Sequence, residues 1–150
     1  HEVIHLAHQF PETLIVLDHL GGPVGVGPYS DQATAVFLEW DRAMTKLAAC
    51  DNVVTKLGGL AMEVNGFNWH QLPAPPTSDD LLKGCAHYYE RTIELFGVDR
   101  CLFESNFPVD KISCSYNTLW NAFKKLTKDY SASDKAKLFH DNAQRIYRIA

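Results

Sequence analysis

The sequence predicts an α/β fold built from short parallel strands that alternate with helices, and three observations carry that expectation. Segments 14–23, 53–59 and 101–108 each open as an apolar run and close in polar residues with Gly or Pro. Each is followed by a stretch of helical periodicity, and apolar runs that read as strands buried on both faces, alternating with helices, imply a parallel sheet. The polar closing residues then gather at one edge, the carboxyl ends of the strands, where α/β proteins keep their chemistry.

Taken in order, residues 1–9 read as the tail of a helix with Val3, Ile4 and Ala7 on one side and no capping residue before it. The first strand follows. A helix is expected over 30–49, with Ser30 or Asp31 as N-cap and Phe37, Trp40, Met44 and Leu47 at helical spacing. After the second strand, the connection 60–77 contains Pro73, Pro75 and Pro76, which exclude regular structure. Connections of that length are usually functional or disordered. Ser78 is expected to cap a helix whose first turn holds Asp79 and Asp80 and whose stripe is Leu82, Cys85, Ala86, Tyr89, Ile93 and Phe96, with Gly97 ending it. Beyond the third strand, Tyr116, Leu119, Trp120 and Phe123 mark another amphipathic helix. Ser131 or Ser133 caps a last one through Leu138, Phe139, Ile146 and Tyr147.

Three parallel strands cannot close a barrel, and an open three-stranded sheet leaves two edges free to pair. An eight-stranded barrel needs at least about 200 residues. With 150 residues, the chain is therefore expected to be the carboxyl-terminal portion of one larger barrel domain that lacks its amino-terminal half, or to associate with another copy; the uncapped start favours the first. Composition is ordinary for a soluble domain, with 46% hydrophobic and 21% charged residues. A net charge of -4 offers no basic stripe for nucleic acid, and no apolar run reaches the roughly 18 residues that would indicate a membrane span. Cys50, Cys85, Cys101 and Cys114 lack C-x-x-C spacing, which points to reduced thiols in a cytoplasmic protein.

The candidate site is read from the strand ends. Alternation groups Ile15, Leu17 and His19 on one face of the first strand and Leu102, Glu104 and Asn106 in the third, with Lys56 following Val54 in the middle. An imidazole, an amide and an ammonium at neighbouring strand ends suit a site that binds a carboxylate or polarises a carbonyl of a small molecule. Against this stands the reading in which His19 bonds a loop carbonyl, Lys56 pairs with a carboxylate such as Glu104, and Asn106 caps a turn. Asp110 and Lys111 read equally well as an exposed ion pair or as ligand-binding residues. Gly21, Gly22, Gly25 and Gly27 match no phosphate-binding pattern and read as turn formers. Trp69 and His70 could close over a ligand, although aromatic residues in loops more often anchor packing.

These same residues give the chain a family resemblance. Asp18-His19-Leu20-Gly21-Gly22-Pro23, Asn52-Val53-Val54-Thr55-Lys56-Leu57-Gly58-Gly59-Leu60, Phe103-Glu104-Ser105-Asn106-Phe107-Pro108 and Asn142-Ala143-Gln144-Arg145-Ile146-Tyr147, in this order, resemble the amidohydrolase superfamily. The likeness is to the amidohydrolase-2 branch of metal-dependent hydrolases, lactonases and decarboxylases. It implies a (β/α)8 TIM barrel of which this chain holds strands six to eight. It implies that His19 contacts substrate or lies near a divalent metal, with zinc the metal the family suggests. Asn106 matches the position after strand eight where the family has an aspartate that ligates metal and acts as general base. An amide cannot take a proton from water at neutral pH, so the base is expected from Glu104 or Asp110. The H-x-H pair of strand one and the strand-five histidine are not in this chain. The resemblance thus implies a hydrolase of a small carboxylated substrate such as a lactone, with His19 and Asn106 catalytic and Lys56, Glu104 and Asp110 binding substrate. A decarboxylase of the same branch, or a catalytically silent ligand-binding or oligomer-forming relative, is the alternative. The 150-residue chain on its own is expected to be inactive.

Overall fold

The computed structural model describes residues 1–149. Its regular elements are α1 (Glu2–Gln9), β1 (Ile15–Leu17), α2 (Ala33–Ala48), β2 (Val53–Leu57), α3 (Ser78–Phe96), β3 (Cys101–Phe103), α4 (Tyr116–Leu126), α5 (Ala132–Ala136) and α6 (Asn142–Tyr147). A π-helical turn, Lys137–Asp141, joins α5 to α6. The strands form one parallel sheet in the order β1-β2-β3. Val16 pairs with Val54 and Leu17 with Thr55, while Lys56 pairs with Leu102 and Leu57 with Phe103. The alternation of strand and helix is the predicted one, in the predicted parallel sense.

The two faces of the sheet have different company. Val53, Leu57, Cys101 and Phe103 belong to the cluster formed with the helices, together with Trp40, Met44, Leu47, Tyr89, Ile93 and Phe123. Phe123, which is fully buried, stacks on Phe103 at 4.4 Å between ring centroids and meets Tyr89 edge-on. Such aromatic pairs add about 0.5–1.5 kcal/mol beyond the area they bury. The register assigns Val16, Val54, Lys56 and Leu102 to the opposite face, the one that a closed barrel turns inward.

Helix boundaries shift from the sequence reading for local reasons. α2 begins at Ala33 after Gln32 and has no side-chain cap, because the Ser30 hydroxyl donates to the Gly27 carbonyl in a preceding 3-10 turn. α3 is capped by Thr77 rather than Ser78. The Thr77 hydroxyl accepts from the Asp80 N–H while the Asp80 carboxylate accepts from the Thr77 N–H, a reciprocal capping box. The buried stripe of α3 is Leu81, Cys85, Tyr88, Tyr89, Thr92, Ile93 and Phe96, so Leu82 and Ala86 lie beside it. The long 60–77 connection is packed: Trp69 stacks on Phe67 at 4.5 Å, and the Asn65 amide donates to the Pro23 carbonyl at 2.9 Å. Trp69 covers the backbone of Gly84 in α3 and acts as an anchor.

Four polar side chains tie the strand starts to the helices. The Asn52 amide donates to the carbonyls of Ala7, Phe10 and Thr13, closing the α1–β1 turn. Arg100 donates to the carbonyls of Ala48, Cys50 and Phe96, satisfying helix-end acceptors of both α2 and α3. The buried Asn142 amide donates to Val98 and Cys101, and Arg145 reaches the Asp99 carbonyl, so the Asn142–Tyr147 motif locks α6 onto the start of β3.

The outer edges of β1 and β3 have no strand partner among the described residues. Leu6, Phe10 and Leu14, around the start of β1, are exposed. An unpaired edge with apolar neighbours is a template for association. Sedimentation of the isolated chain at micromolar concentration is therefore expected to show self-association. A stable, cooperatively unfolding monomer would contradict that expectation.

Candidate functional site

The site is a charge cluster at the carboxyl ends of all three strands. Glu104 extends the ladder one residue past β3, with its N–H donating to the Leu57 carbonyl. Its two carboxylate oxygens are divided between neighbouring strands. Oε1 lies 2.5 Å from Nδ1 of His19, and Oε2 lies 3.3 Å from Nζ of Lys56. The Lys56 ammonium is also 2.9 Å from Oδ1 of Asp18, and it sits 5.9 Å from the Tyr147 ring centroid. Partial burial pulls the Lys56 ammonium down, but its hydrogen bond to Asp18 and the charge of Glu104 outweigh that pull and hold it above its ordinary range.

Register explains which residues meet. Val16 is level with Val54 and Lys56 with Leu102, so Asp18, two residues beyond Val16, falls beside Lys56, and Glu104, two beyond Leu102, falls on its other side. Simple alternation from Leu17 would send His19 to the opposite face. β1 instead stops at Leu17, and His19 and Leu20 adopt left-handed backbone with φ of 54° and 56°. That turn delivers the imidazole to Glu104. Non-glycine residues held in this region cost energy, and they concentrate at functional sites. Asp18 was absent from the sequence-derived site; the signal that finds it is the parallel register, which a single strand's pattern does not contain.

Two glycines make the contact possible. A Cβ at Gly58 would run into the Glu104 backbone carbonyl and Cγ. A Cβ at Gly59, whose φ is +76°, would lie 2.5 Å from Nδ1 of His19. The Gly58-Gly59 pair that ends β2 is therefore the floor on which the His19–Glu104 pair rests.

Asn106 and Asp110 form an adjoining pair. The Asn106 amide donates to Oδ1 of Asp110 at 2.8 Å, and the Asp110 N–H donates to the Asn106 carbonyl. Asp110 is fully buried while Lys111 is exposed, so of the two readings of these residues the exposed pair is excluded. Its Oδ2 has no hydrogen-bond partner among the described residues. Burial pushes the Asp110 carboxyl up to about 6, while the Asn106 amide, the Ala61 backbone and the His19 ring pull the other way and Glu104 adds to the rise. Cys85 and Tyr89 of α3, and Cys114, complete its surroundings. The Ser113 hydroxyl donates to the Ala61 carbonyl at 2.6 Å, tying this loop to the one after β2.

The structure thus gathers His19, Glu104 and Lys56, joins Asn106 to Asp110, and sets the second pair within electrostatic reach of the first. The apolar groove between residues 21–24 and α2, lined by Pro23, Val24, Tyr29, Leu38 and Trp40, includes none of these residues. Zinc is poorly matched to the donors present. Among the described residues no three His, Cys, Asp or Glu side chains converge on one point. His19 and Glu104 are engaged with each other, and the ammonium of Lys56 lies where a dication would be repelled. These residues alone do not fit a metal centre.

Parallel β/α units with a polar cluster at the strand ends define a segment of a (β/α)8 barrel of the kind enzymes use. The sequence profile of the amidohydrolase family matches residues 1–149, and the chain belongs to that family. It is 43% identical over 148 residues to the uncharacterized protein y4mH of Sinorhizobium fredii, covering 99% of this chain and 43% of that protein. It is 29% identical over 136 residues to an L-fucono-1,5-lactonase of Burkholderia multivorans, covering 90% of this chain and 43% of the lactonase. Among solved structures, a Burkholderia multivorans amidohydrolase with bound HEPES superposes with a TM-score of 0.83 at 25% identity, covering 99% of this chain and 49% of that one. A zinc-bound form of a Burkholderia multivorans amidohydrolase superposes at 0.82 with 24% identity, covering 99% of this chain and 48% of that one, and shows the same fold. The chain spans less than half the length of the curated relatives it matches.

Two measurements test this geometry. Gly59→Ala combines positive φ with a collision against His19 and is expected to destabilise the protein by roughly 1–3 kcal/mol and to displace the imidazole, read as loss of the His19–Glu104 contact in a structure of the variant. Asp110 binds its proton more tightly folded than unfolded, so folding is favoured at low pH and stability falls as pH rises from about 3.8 through about 6. The fall amounts to about 3 kcal/mol. Urea unfolding from pH 4 to 7.5 should show it in wild type and not in Asp110→Asn.

Proposed function

We propose that the protein to which this chain belongs hydrolyses a small lactone at the strand-end cluster. The single observation that supports this most is the His19–Glu104 pair, with Nδ1 held against a carboxylate at 2.5 Å. An imidazole that donates Nδ1–H to a carboxylate keeps its Nε2 lone pair free. Nε2 of His19 has no partner among the described residues and is absent from the buried unpaired atoms. In the proposed reaction, Nε2 takes a proton from water as the water oxygen bonds to the lactone carbonyl carbon. The tetrahedral species then expels the ring oxygen, which takes that proton back from the imidazolium, giving the open-chain hydroxy acid. Glu104 orients the ring and stabilises the imidazolium, as a carboxylate does behind a catalytic histidine. Lys56 holds Glu104 in turn.

The charge balance bears on the substrate. Lys56 already touches two carboxylates, Asp18 and Glu104. One ammonium between two carboxylates has no surplus attraction for a third. This favours a lactone without a carboxylate over the carboxylated substrate expected from the sequence, and it makes Lys56 a positioning residue for Glu104. The likeness to L-fucono-1,5-lactonases supports the same class. A cytoplasmic setting accords with four free, buried thiols, of which Cys85 and Cys101 are pushed up to about 12 by burial. No described helix is long and apolar enough to cross a membrane.

His19→Ala in the complete protein is expected to lower kcat for a 1,5-lactone by about 10²–10⁴-fold, the usual contribution of a general base. Glu104→Gln should lower it less while leaving the fold intact by circular dichroism. A wild-type protein that binds but never opens the lactone ring would favour the silent ligand-binding relative instead.

A further inference from the structure

Asn106 sits where a proton acceptor is expected from the family resemblance, yet the structure gives its amide a different task. Its N–H₂ group is committed to Asp110 at 2.8 Å. An ionised carboxylate only accepts hydrogen bonds, so this contact selects one of the two amide orientations and turns Oδ1 away from Asp110. Oδ1 of Asn106 has no partner among the described residues and is not one of the buried unpaired atoms, so it remains open to solvent on a half-buried side chain. The backbone is fixed as well. Asn106 is left-handed at φ 51°, and the Asp110 N–H returns to its carbonyl at 3.2 Å. Asp110 in turn is anchored by its own burial and by the Ser113 and Cys114 N–H groups donating to its carbonyl. A wholly buried carboxyl is expensive to maintain, and among the described residues the one side chain that hydrogen-bonds to it is Asn106, beside a contact with the Ala61 backbone.

We propose that Asp110 is a positioning residue that holds the Asn106 amide with Oδ1 toward the strand-end site, where that oxygen accepts a hydrogen bond from a hydroxyl group of the lactone. The proposal rests on the lactone-hydrolase reading and deepens it by specifying a polyhydroxylated ring. A site built to bond a substrate hydroxyl discriminates against an analogue that lacks it, because the acceptor is then left unpaired. Asn106 on this account sets specificity, while proton transfer belongs to His19.

The test uses the complete protein and two lactones, L-fucono-1,5-lactone, which carries ring hydroxyls, and δ-valerolactone, which carries none. Asn106→Gly removes the acceptor without straining the left-handed backbone. It is expected to lower kcat/KM for the hydroxylated lactone about tenfold and to leave δ-valerolactone within about twofold of wild type. Asp110→Ala should reproduce that selective loss, and Asp110→Asn, whose side-chain carbonyl can still accept from Asn106, should restore it. Equal losses on both lactones, or an Asp110→Asn variant that behaves as Asp110→Ala does, would overturn the proposal and leave Asp110 a structural residue. Should wild type open neither ring, the hydrolase reading fails, and calorimetry with the non-hydrolysable L-fucono-1,5-lactam decides the rest. Binding that is weakened about tenfold in Asn106→Gly upholds Asn106 as a hydroxyl acceptor. No binding, or binding unchanged in that variant, refutes it.

Discussion

Everything at the strand ends depends on one carboxylate serving two strands at once. Glu104 presents one oxygen to His19 beyond β1 and the other to Lys56 in β2. Three parallel strands in the observed register finish almost level, so their closing residues are forced into one small volume with a low capacity for unpaired charge. The arrangement of acidic and basic groups there is alternating: Asp18, Lys56, Glu104, His19. Loss of Lys56 leaves Asp18 without its partner and loss of Glu104 leaves His19 without its own, so the two central groups couple the cluster.

Close approach is what gives that unit its shape. The loop after β2 passes directly beneath His19 and Glu104, and only glycine fits at positions 58 and 59. The strand-to-loop turn at Asp18–Gly21 makes the complementary concession, accepting left-handed backbone at His19 and Leu20 so that the imidazole can lie on Gly59. Leu20 is fully buried and its carbonyl accepts from the Trp40 indole at 2.7 Å, so packing against α2 sustains the strained turn. Outer-face packing and strand-end chemistry are thereby coupled through a few residues of one loop.

Family membership and the local geometry also divide the explanatory work. The barrel architecture accounts for why polar groups collect at the carboxyl edge. It does not account for an amide at Asn106, and there the neighbouring Asp110 is informative. The acidic group lies four residues further on, buried, and reaches the site through Asn106. In this chain the side chain at that position is an amide, and its N–H₂ group is committed to Asp110.

Much of this was legible in the sequence. Apolar runs closed by Gly and Pro located the strands, helical spacing located the helices between them, and the closing motifs identified His19, Lys56, Glu104 and Asn106 as residues at strand ends. Those features are local, set by the period of the backbone and by the burial that each element needs. Contact between them was decided only by tertiary structure. Asp18 joined the cluster because register placed it beside Lys56, and His19 reached Glu104 because the strand ended two residues early in a left-handed turn. Thr77 displaced Ser78 as the α3 cap because Asp80 could return its hydrogen bond. Asp110 became a buried carboxyl, and not an exposed partner of Lys111, because the loop after β3 folded against Ala61. Periodicity fixes which way a side chain leaves its own strand; which charge it then meets depends on residues tens of positions away, and the sequence of one element holds no record of them.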